Sequence, residues 1–292
     1  MMAGMKTALP RPVLWLLLVF LLTANVATYV AAFAKDEEGT LSVSFLDVGQ
    51  GDAILIEGPT GVQVLVDGGK DRSVTRALPR AMGALDRSID AVVATHPDAD
   101  HIGGLPDVLA RYRVSYVISS GRAAESSFLG RLKDAVAKER GATEVLARRG
   151  MRLHLGGGAY ADVLHPEANV EKLRETNDAS VVMKVVYGET EFLLTGDAPS
   201  WVEERLVAED GDGLRSDILK AGHHGSKTST SAAFLEAVDP ETVVVSAGRD
   251  NSYGHPHEEV LARIRASGAA SVSTAESGTV TFVSDGRDVE RR

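Results

Sequence analysis

The chain has 292 residues, of which 44% are hydrophobic and 25% are charged, and this composition excludes disordered, collagen-like and coiled-coil chains. It contains no cysteine, which excludes disulfide scaffolds and thiolate ligands, so any metal must be bound through nitrogen and oxygen atoms. The formal net charge of −10 argues against a surface that coats nucleic acid non-specifically but leaves room for a local basic strip.

The N-terminal region differs sharply from the rest of the chain. Residues 12–34 carry no charge and are numerous enough to cross a ~30 Å hydrocarbon layer as a helix. Two basic residues precede this segment and three acidic residues follow it, which favours an orientation with the N-terminus inside. Ala32–Ala34 also fits the cleavage site of a signal peptide. We expect residues 1–34 to be a single-pass membrane anchor or a cleaved signal peptide, with the remaining chain outside the cytoplasm.

The rest of the chain shows no second break in composition. We expect a linker over residues 35–40, one domain over residues 41–285 and a charged tail over residues 286–292. The apolar patterns predict strands at 41–46, 53–57, 62–66, 91–95, 114–119, 143–147, 151–155, 160–165, 180–187, 191–195, 217–220, 242–246, 271–275 and 279–283. They predict helices at 72–84, 105–112, 125–140, 199–208, 230–237 and 257–267. A run of strands is followed by strands that alternate with helices, and this order occurs twice along the chain. It predicts an α/β fold with four layers in the order α, β, β, α.

Six of the eight histidines lie in three short polar motifs, each of which follows a predicted strand. The first motif, HPDADHIGG, contains four potential ligands within six residues: His96, Asp98, Asp100 and His101. Imidazole nitrogens and carboxylate oxygens on one short loop suit Zn²⁺, Mn²⁺ or iron. The sequence therefore predicts a metal site at this loop.

Three further motifs end predicted strands in the same way. Asp197 closes the motif LTGD, His223 and His224 open the motif HHGS, and His255 lies in SYGHP. Each of these motifs is common by itself, but their shared position at strand ends predicts one polar cluster.

The combination of HPDADHIGG, TGD and HHGS resembles the metallo-β-lactamase-fold hydrolases. The segments FLDVGQGDAILI, LVDGG, NDASVV and SYGHP are similar to the extracytoplasmic hydrolase domain of ComEC-type competence proteins and their stand-alone relatives. The resemblance covers residues 40–285. It implies a four-layer αββα metallo-β-lactamase sandwich, preceded here by one N-terminal hydrophobic helix.

The resemblance also implies a ligand set. Asp98 stands where the common family motif has a second histidine, Asp197 resembles a carboxylate that bridges two metal ions, and His223 matches a ligand position better than its neighbour. The implied metal ligands are His96, Asp98, Asp100, His101, Asp197 and His223. The extra carboxylate shifts the preference from Zn²⁺ alone toward Mn²⁺.

Other matched residues are expected around the ions, in contact with substrate or with the ligands. We expect this role for His224, His255, Lys220, Ser226, Asn177, Asp178, Asp67 and Asp52. Asn177 and Asp178 occupy the region where other family members have a separate histidine ligand. Asp98 or Asp100 is the expected proton acceptor as two divalent ions activate water.

These residues favour a metal-dependent phosphodiesterase or nuclease that acts outside the cytoplasmic membrane. Single-stranded DNA or another phosphodiester is the expected substrate, and a separate channel protein is a candidate partner in DNA uptake. One alternative is hydrolysis of another ester, such as a phosphorylcholine ester or a lactone, because fold alone does not decide substrate. Another alternative is a metal-binding partner of a DNA-uptake channel that catalyses nothing.

Overall fold

A computed structural model describes residues 10–33, 39–139, 141–168 and 170–292 of the chain. Contacts divide the chain into two compact units, of which the second is Gly39–Arg292. The first contains helix α1 (Arg11–Phe33). Within the described ranges, no helix is both long and apolar enough to cross a membrane, so the expected membrane-spanning helix is not confirmed. Residues 35–38 of the expected linker and Ala34 of the expected cleavage site lie outside the described residues.

Fifteen strands are described in the second unit. In chain order they are β1 (Leu41–Phe45), β2 (Ile54–Glu57), β3 (Gln63–Val66), β4 (Ser88–Ala94), β5 (Arg113–Ser119), β6 (Thr143–Leu146), β7 (Arg152–Gly156), β8 (Ala159–His165), β9 (Val182–Tyr187), β10 (Thr190–Leu194), β11 (Ile218–Lys220), β12 (Thr242–Val245), β13 (Ala270–Ser273), β14 (Val280–Ser284) and β15 (Val289–Arg291). One sheet has the order β15-β14-β1-β2-β3-β4-β5-β6, and the other has the order β13-β12-β11-β10-β9-β8-β7.

The described helices of this unit lie between the strands in sequence. They are α2 (Val74–Ala81), α3 (Ala99–Ile102), α4 (Leu105–Leu109), α5 (Ser127–Lys138), α6 (Ser200–Asp210), α7 (Ala232–Val238), α8 (Glu258–Ser267) and α9 (Thr274–Ser277). Short 3₁₀ turns occur at Val170–Lys172, Asn177–Ala179, Gly211–Leu214 and Gly222–Gly225.

Three apolar clusters show how these elements are layered. In β2, Ile54 and Ile56 enter a cluster shared by both sheets, whereas Leu55 points the other way into a cluster with α2, α4 and α5. A third cluster joins the outer face of the second sheet to α6, α7 and α8. Because both faces of the central strands are buried, their sequences are continuously apolar. The result is the αββα sandwich of two sheets that the sequence predicted.

The polar motifs are brought together by the direction of the strands. In the first sheet β3, β4 and β5 run parallel, and in the second β10, β11 and β12 do the same. The carboxyl ends of parallel strands meet at one edge of a sheet, where functional groups collect. The segments after β3, β4, β10 and β11 carry Asp67, the first histidine motif, Asp197 and the histidine pair respectively.

Two local differences from the sequence predictions have clear physical causes. The charged tail contains β15, whose Val289 pairs with Ser284 of β14 and packs on the inter-sheet core. The first histidine motif contains a helical turn, α3, with Asp98 in extended conformation before it and Gly103 after it. A four-residue helix is too short to produce a detectable apolar period.

Candidate metal centre

His101 is oriented by a carboxylate behind it. Its Nδ1 lies 2.7 Å from Oδ2 of Asp67, which also accepts from the hydroxyl of Thr95 at 2.7 Å. A carboxylate accepts hydrogen bonds, so Nδ1 of His101 carries the proton. Asp67 is fully buried and has a φ of 60°, which Asp tolerates better than most residues. This arrangement directs the Nε2 lone pair of His101 into the centre, as the outer carboxylate of a metal site does.

His224 is oriented in the same way by the main chain. Its Nδ1 donates to the carbonyl oxygen of Ser246 at 2.9 Å, at the end of β12. His223 and His224 both have positive φ values, 50° and 56°, in the 3₁₀ turn after β11. Consecutive non-glycine residues with this conformation are strained, and such strain collects at functional sites. The turn places Nε2 of His224 3.3 Å from Nε2 of His101.

His96 completes a set of three imidazoles with the same orientation. Its Nδ1 lies 3.0 Å from the hydroxyl oxygen of Thr95, whose single proton is given to Asp67. The Thr95 oxygen therefore accepts from Nδ1 of His96, and Nε2 of His96 is left without a proton when the ring is neutral. That Nε2 atom is buried and has no hydrogen-bond partner.

Asp197 lies at the centre of these rings. Its Oδ1 is 3.3 Å from Nε2 of His101, and its Oδ2 is 3.5 Å from Nε2 of His224. Oδ2 also lies 3.6 Å from Nε2 of His223 and 4.0 Å from Nε2 of His96. The carboxylate thus lies among four imidazoles, with one facing Oδ1 and three facing Oδ2.

The two aspartates of the first motif face different histidines. Oδ2 of Asp100 is 3.4 Å from Nε2 of His224, and Oδ2 of Asp98 is 3.8 Å from Nε2 of His96. The side chain of Asp98 is 39% exposed, so it reaches the solvent-facing opening of the centre.

Asp52 pairs with Lys220 beside the histidines. Oδ2 of Asp52 lies 2.5 Å from Nζ of Lys220, which also donates to the Gly196 carbonyl at 2.8 Å and lies 3.5 Å from Oδ1 of Asp197. Oδ1 of Asp52 faces Nδ1 of His224 at 3.4 Å. Because both charged groups are buried, each depends on the other for compensation.

The donor set fits a divalent cation. Ligand atoms of Asp52, His101, Asp197 and His224 all lie within 4.8 Å of one another. Nε2 of His101 lies 3.3 Å from Nε2 of His224 and 3.3 Å from Oδ1 of Asp197, while Nε2 of His224 lies 3.5 Å from the other oxygen, Oδ2. Each of these separations is close to the distance of about 3.4 Å between two ligands of a tetrahedral ion with ligand distances of about 2.1 Å. Oδ1 of Asp197 and Oδ1 of Asp52 are buried without hydrogen-bond partners. Carboxylate oxygens whose lone pairs face a common point without a hydrogen-bond donor are stabilised when a cation binds between them.

The pKa values in the centre without a bound cation reflect how close together these acidic and basic side chains lie. Burial alone would lower the pKa of His224, but Asp197 and Asp52 raise it to about 9. Burial would raise the pKa of Asp52, but Lys220 and His224 lower it to about 2. Burial lowers the pKa of His96 well below its usual value, with a further contribution from His101. Burial raises the pKa of Asp98, the most exposed of these acids.

The remaining predicted residues lie around the centre at different depths. Nδ2 of Asn177 is 3.4 Å from Nδ1 of His223, and the ring of His255 lies 5.6 Å from that of His223. Burial and the neighbouring histidines lower the pKa of His255 to about 4, so the ring is neutral at pH 7. These two residues line the open side of the centre.

Asp178 and Ser226 fix loops and make no contact with the ligand atoms described above. Asp178 accepts from the main-chain N–H groups of Arg174 and Glu175 and from the indole of Trp201. Ser226 lies 3.0 Å from the hydroxyl of Thr228 in the turn after His224.

Sequence reasoning assigned no role to three supporting groups. They are the hydroxyl of Thr95, the hydroxyl of Ser180, which accepts from the Asp197 N–H at 3.2 Å, and the carbonyl of Ser246. Thr95 directly precedes HPDADHIGG and Ser180 lies within the recognised segment NDASVV, so their position was a usable signal. A carbonyl oxygen leaves no trace in residue type.

Comparison with known proteins supports this description. The family model described as "Metallo-beta-lactamase superfamily" matches residues 46–249. ComE operon protein 3 of Bacillus subtilis is 30% identical over 82% of this chain and 32% of its own length, and competence protein ComA of Neisseria gonorrhoeae is 32% identical over 90% and 35%. The chain therefore spans about a third of these curated relatives. The metallo-β-lactamase fold protein YhfI from Bacillus subtilis covers 83% of this chain and 99% of its own with a TM-score of 0.53, and at 12% identity this likeness shows the fold alone.

Proposed function

This chain belongs to the metallo-β-lactamase superfamily, and from that membership we propose that it is a metal-dependent phosphodiesterase that acts on a nucleic acid strand. One observation carries the proposal: Nε2 of His101 and Nε2 of His224 meet at 3.3 Å beside Asp197, and each ring is oriented by an oxygen that accepts the proton of its Nδ1. Two imidazole nitrogens and a carboxylate brought together in this way are ligands of the kind that a divalent cation binds. The similarity to competence proteins supports a nucleic acid as the substrate.

The ions would be held by His96, Asp98, Asp100, His101, Asp197 and by one or both of His223 and His224. His224 has the better geometry, because its Nδ1 is committed to a carbonyl and its ring is buried, whereas the side chain of His223 is 30% exposed. A bound divalent ion supplies Lewis-acid activation of water and of the phosphoryl group. The mixture of imidazole and carboxylate ligands suits Mn²⁺ as well as Zn²⁺.

The residues at the opening would handle protons and substrate. Asp98 is partly exposed and its pKa is raised by burial, which brings it closer to the range of a useful general base. His255 is neutral at pH 7 and stacks against Tyr253 with ring centroids 5.7 Å apart. A neutral imidazole there can donate a hydrogen bond to a phosphate oxygen without adding a positive charge.

A substrate panel tests this function. Metal-stripped protein is loaded separately with Mn²⁺ and Zn²⁺ and assayed on bis(p-nitrophenyl) phosphate, a DNA oligonucleotide, a phosphorylcholine ester, a lactone and a β-lactam. We expect metal-dependent turnover of the two phosphodiesters. Turnover confined to the lactone, the β-lactam or the phosphorylcholine ester would replace the proposal with another ester hydrolase. Tight metal binding with no turnover would favour a non-catalytic metal-binding protein.

The cellular location and partners belong to the same proposal. We propose that the domain acts outside the cytoplasm, because an uncharged N-terminal segment precedes it and ComE operon protein 3 and competence protein ComA are among its relatives. A separate channel protein is the corresponding partner. Protection of the domain from protease in spheroplasts, with digestion only after the cytoplasmic membrane is lysed, would contradict this location.

A further inference from the structure

A groove outside the metal centre is lined by more basic than acidic side chains. Its volume is about 640 Å³, and it is lined by residues of α2, the loop after β1 and the beginning of β14. The lining residues are Asp47, Val48, Gly49, Ser73, Arg76, Ala77, Arg80, Ala81, Gly278, Thr279 and Thr281. No residue that we assign to the metal centre lines it.

Arg76 and Arg80 are the basic side chains that line this groove, which we call the arginine groove. Arg76 and Arg80 are exposed and lie four residues apart on α2, about one helical turn. In the described part of the chain neither forms an ion pair, and Arg76 donates to the hydroxyl of Ser73 at 2.7 Å. Asp47 is the single acidic lining residue, and its Oδ1 accepts from the N–H of Gly49. Outside the lining, Asp71 accepts from the Ser73 hydroxyl at 2.6 Å and is linked through it to Arg76. In a chain with a net charge of −10, two guanidinium groups that form no direct ion pair among the described residues mark an anion site.

A second groove shows that this pattern is not general. It lies along α5 and contains Arg131 and Lys138, but Asp134 and Glu139 lie beside them and balance their charge. The arginine groove therefore differs in charge balance and not merely in containing basic residues.

Hydroxyl groups complete the chemistry of the groove. Thr279 Oγ1 accepts from the N–H of Asp47 at 3.1 Å, which leaves its own proton available for donation. The other two hydroxyls of the lining are engaged within the protein, that of Ser73 with Asp71 and Arg76 and that of Thr281 with Ser44. Guanidinium groups with adjacent hydroxyls match the oxygens of a phosphodiester, which guanidinium binds in a bidentate fashion.

The same loop borders the groove and the metal centre. Asp47, Val48 and Gly49 line the groove, while Asp52, three residues further along, donates its N–H to the carbonyl of Asp100 at 3.2 Å. Gln50 between them is held by the N–H of Gly248 at 3.1 Å. The loop that borders the groove is therefore in direct contact with the segment that carries Asp100.

We propose that the arginine groove binds the backbone phosphates of a single-stranded DNA substrate whose scissile phosphodiester lies at the metal centre. The inference rests on the proposed phosphodiesterase function and assigns Arg76 and Arg80 as substrate-positioning residues. Contacts to backbone phosphates hold a strand in register without reading its sequence.

The test compares two double variants with the same loss of charge. The first is Arg76→Ala with Arg80→Ala, and the matched control is Arg131→Ala with Lys138→Ala on α5. Binding of a fluorescein-labelled thymidine 12-mer to the full chain is measured by anisotropy at several salt concentrations, with Ca²⁺ in place of Mn²⁺. We expect the first variant to bind about tenfold more weakly and to lose about 1.4 from the salt slope, for two contacts to a single strand. The control should match wild type.

Hydrolysis in Mn²⁺ gives the second readout. We expect the ratio of kcat/KM for the 12-mer to kcat/KM for bis(p-nitrophenyl) phosphate to fall about tenfold in the first variant alone. Arg76→Lys with Arg80→Lys should recover part of the binding, because charge is kept and the bidentate geometry is lost. Affinity and salt slope equal to those of the control would overturn the inference, as would binding of anionic vesicles in preference to the 12-mer. If wild type hydrolyses neither substrate, the proposed function fails, while anisotropy still decides the groove.

Discussion

A buried lysine lies beside the histidines of the metal centre and contributes a positive charge there. Lys220 is fully buried, and its Nζ contacts Asp52, Asp197 and the carbonyl of Gly196. It therefore compensates part of the negative charge that the centre carries before any cation binds. Sequence alone does not reveal this pairing, because Asp52 and Lys220 lie on loops and strands of different sheets.

Replacing the lysine tests this coupling. Lys220→Met leaves Asp52 buried without its cation, so the metal-free protein should lose about 3–5 kcal/mol of unfolding free energy. Adding Asp52→Asn should recover much of that loss, because it removes the uncompensated charge. Urea unfolding of both single variants and the double variant in EDTA measures the coupling. Strictly additive losses would show that the two residues act independently.

The raised pKa of His224 predicts how metal binding depends on pH. In the metal-free centre this pKa is raised to about 9 by Asp197 and Asp52 against the effect of burial. The imidazole therefore carries a proton at pH 7, and a cation at Nε2 must displace it. Apparent affinity should rise with pH up to about pH 9, and binding at pH 7 should release protons. Calorimetric titration of Mn²⁺ in buffers of different ionisation enthalpy measures that release, and none at pH 7 would contradict the assignment of His224.

At the scale of elements, loops that end parallel strands build the centre, and glycines allow them to approach. A Cβ on Gly51 would lie 2.0 Å from the carbonyl oxygen of Asp100, whereas a Cβ on Gly49 would meet no atom within 4 Å. Both glycines have positive φ, 122° and 79°. The loop after β1 therefore packs closely against the first histidine motif at Gly51, whereas there is space for a side chain at Gly49.

The difference between Gly49 and Gly51 provides a matched pair of variants. Gly49→Ala should cost about 1–2 kcal/mol of stability for its backbone conformation and leave metal affinity unchanged. Gly51→Ala should cost more and also weaken Mn²⁺ binding, because the displaced carbonyl belongs to the segment that carries Asp100. Thermal unfolding and metal titration of both variants separate the two effects. Equal metal affinities would show that the loop does not support the centre.

Most of the elements could be predicted from the sequence because their apolar periods are strong. Ala53–Glu57 and Val62–Val66 form the predicted hairpin, since both faces of β2 and β3 are buried. The choice between His223 and His224 could not be predicted, because it depends on two consecutive residues with positive φ. The role of Ser246 could not be predicted either, since its contribution is a main-chain carbonyl.

At the scale of the whole molecule, cation binding and folding should be linked. Asp98 and Asp100 on the segment after β4 are held close to Asp197 on the segment after β10, and a cation relieves their mutual repulsion. The loops that carry these acids are also the connections between the two sheets and their outer helices.

Removing the metal should therefore destabilise the domain. At a metal concentration one hundred times Kd, binding adds about 2.7 kcal/mol, so chelation should lower Tm by about 5–10 °C and Mn²⁺ should restore it. Differential scanning calorimetry of chelated and reloaded protein makes this measurement. Identical melting curves for protein of known metal content would exclude the linkage.

If the cluster holds a divalent ion on which phosphodiester hydrolysis depends, bound metal and activity should change together in a single titration. Metal-stripped wild type and Asp100→Asn are titrated with Mn²⁺ while bound metal and hydrolysis of bis(p-nitrophenyl) phosphate are followed together. Asn keeps the size of Asp100 and removes the charge that faces Nε2 of His224. We predict that wild-type activity rises in step with bound metal, and that the variant binds metal more weakly and hydrolyses at least about 10²-fold more slowly. Full activity in the metal-free protein, or an Asp100→Asn variant as active as wild type, would show that hydrolysis does not depend on a metal ion in this cluster.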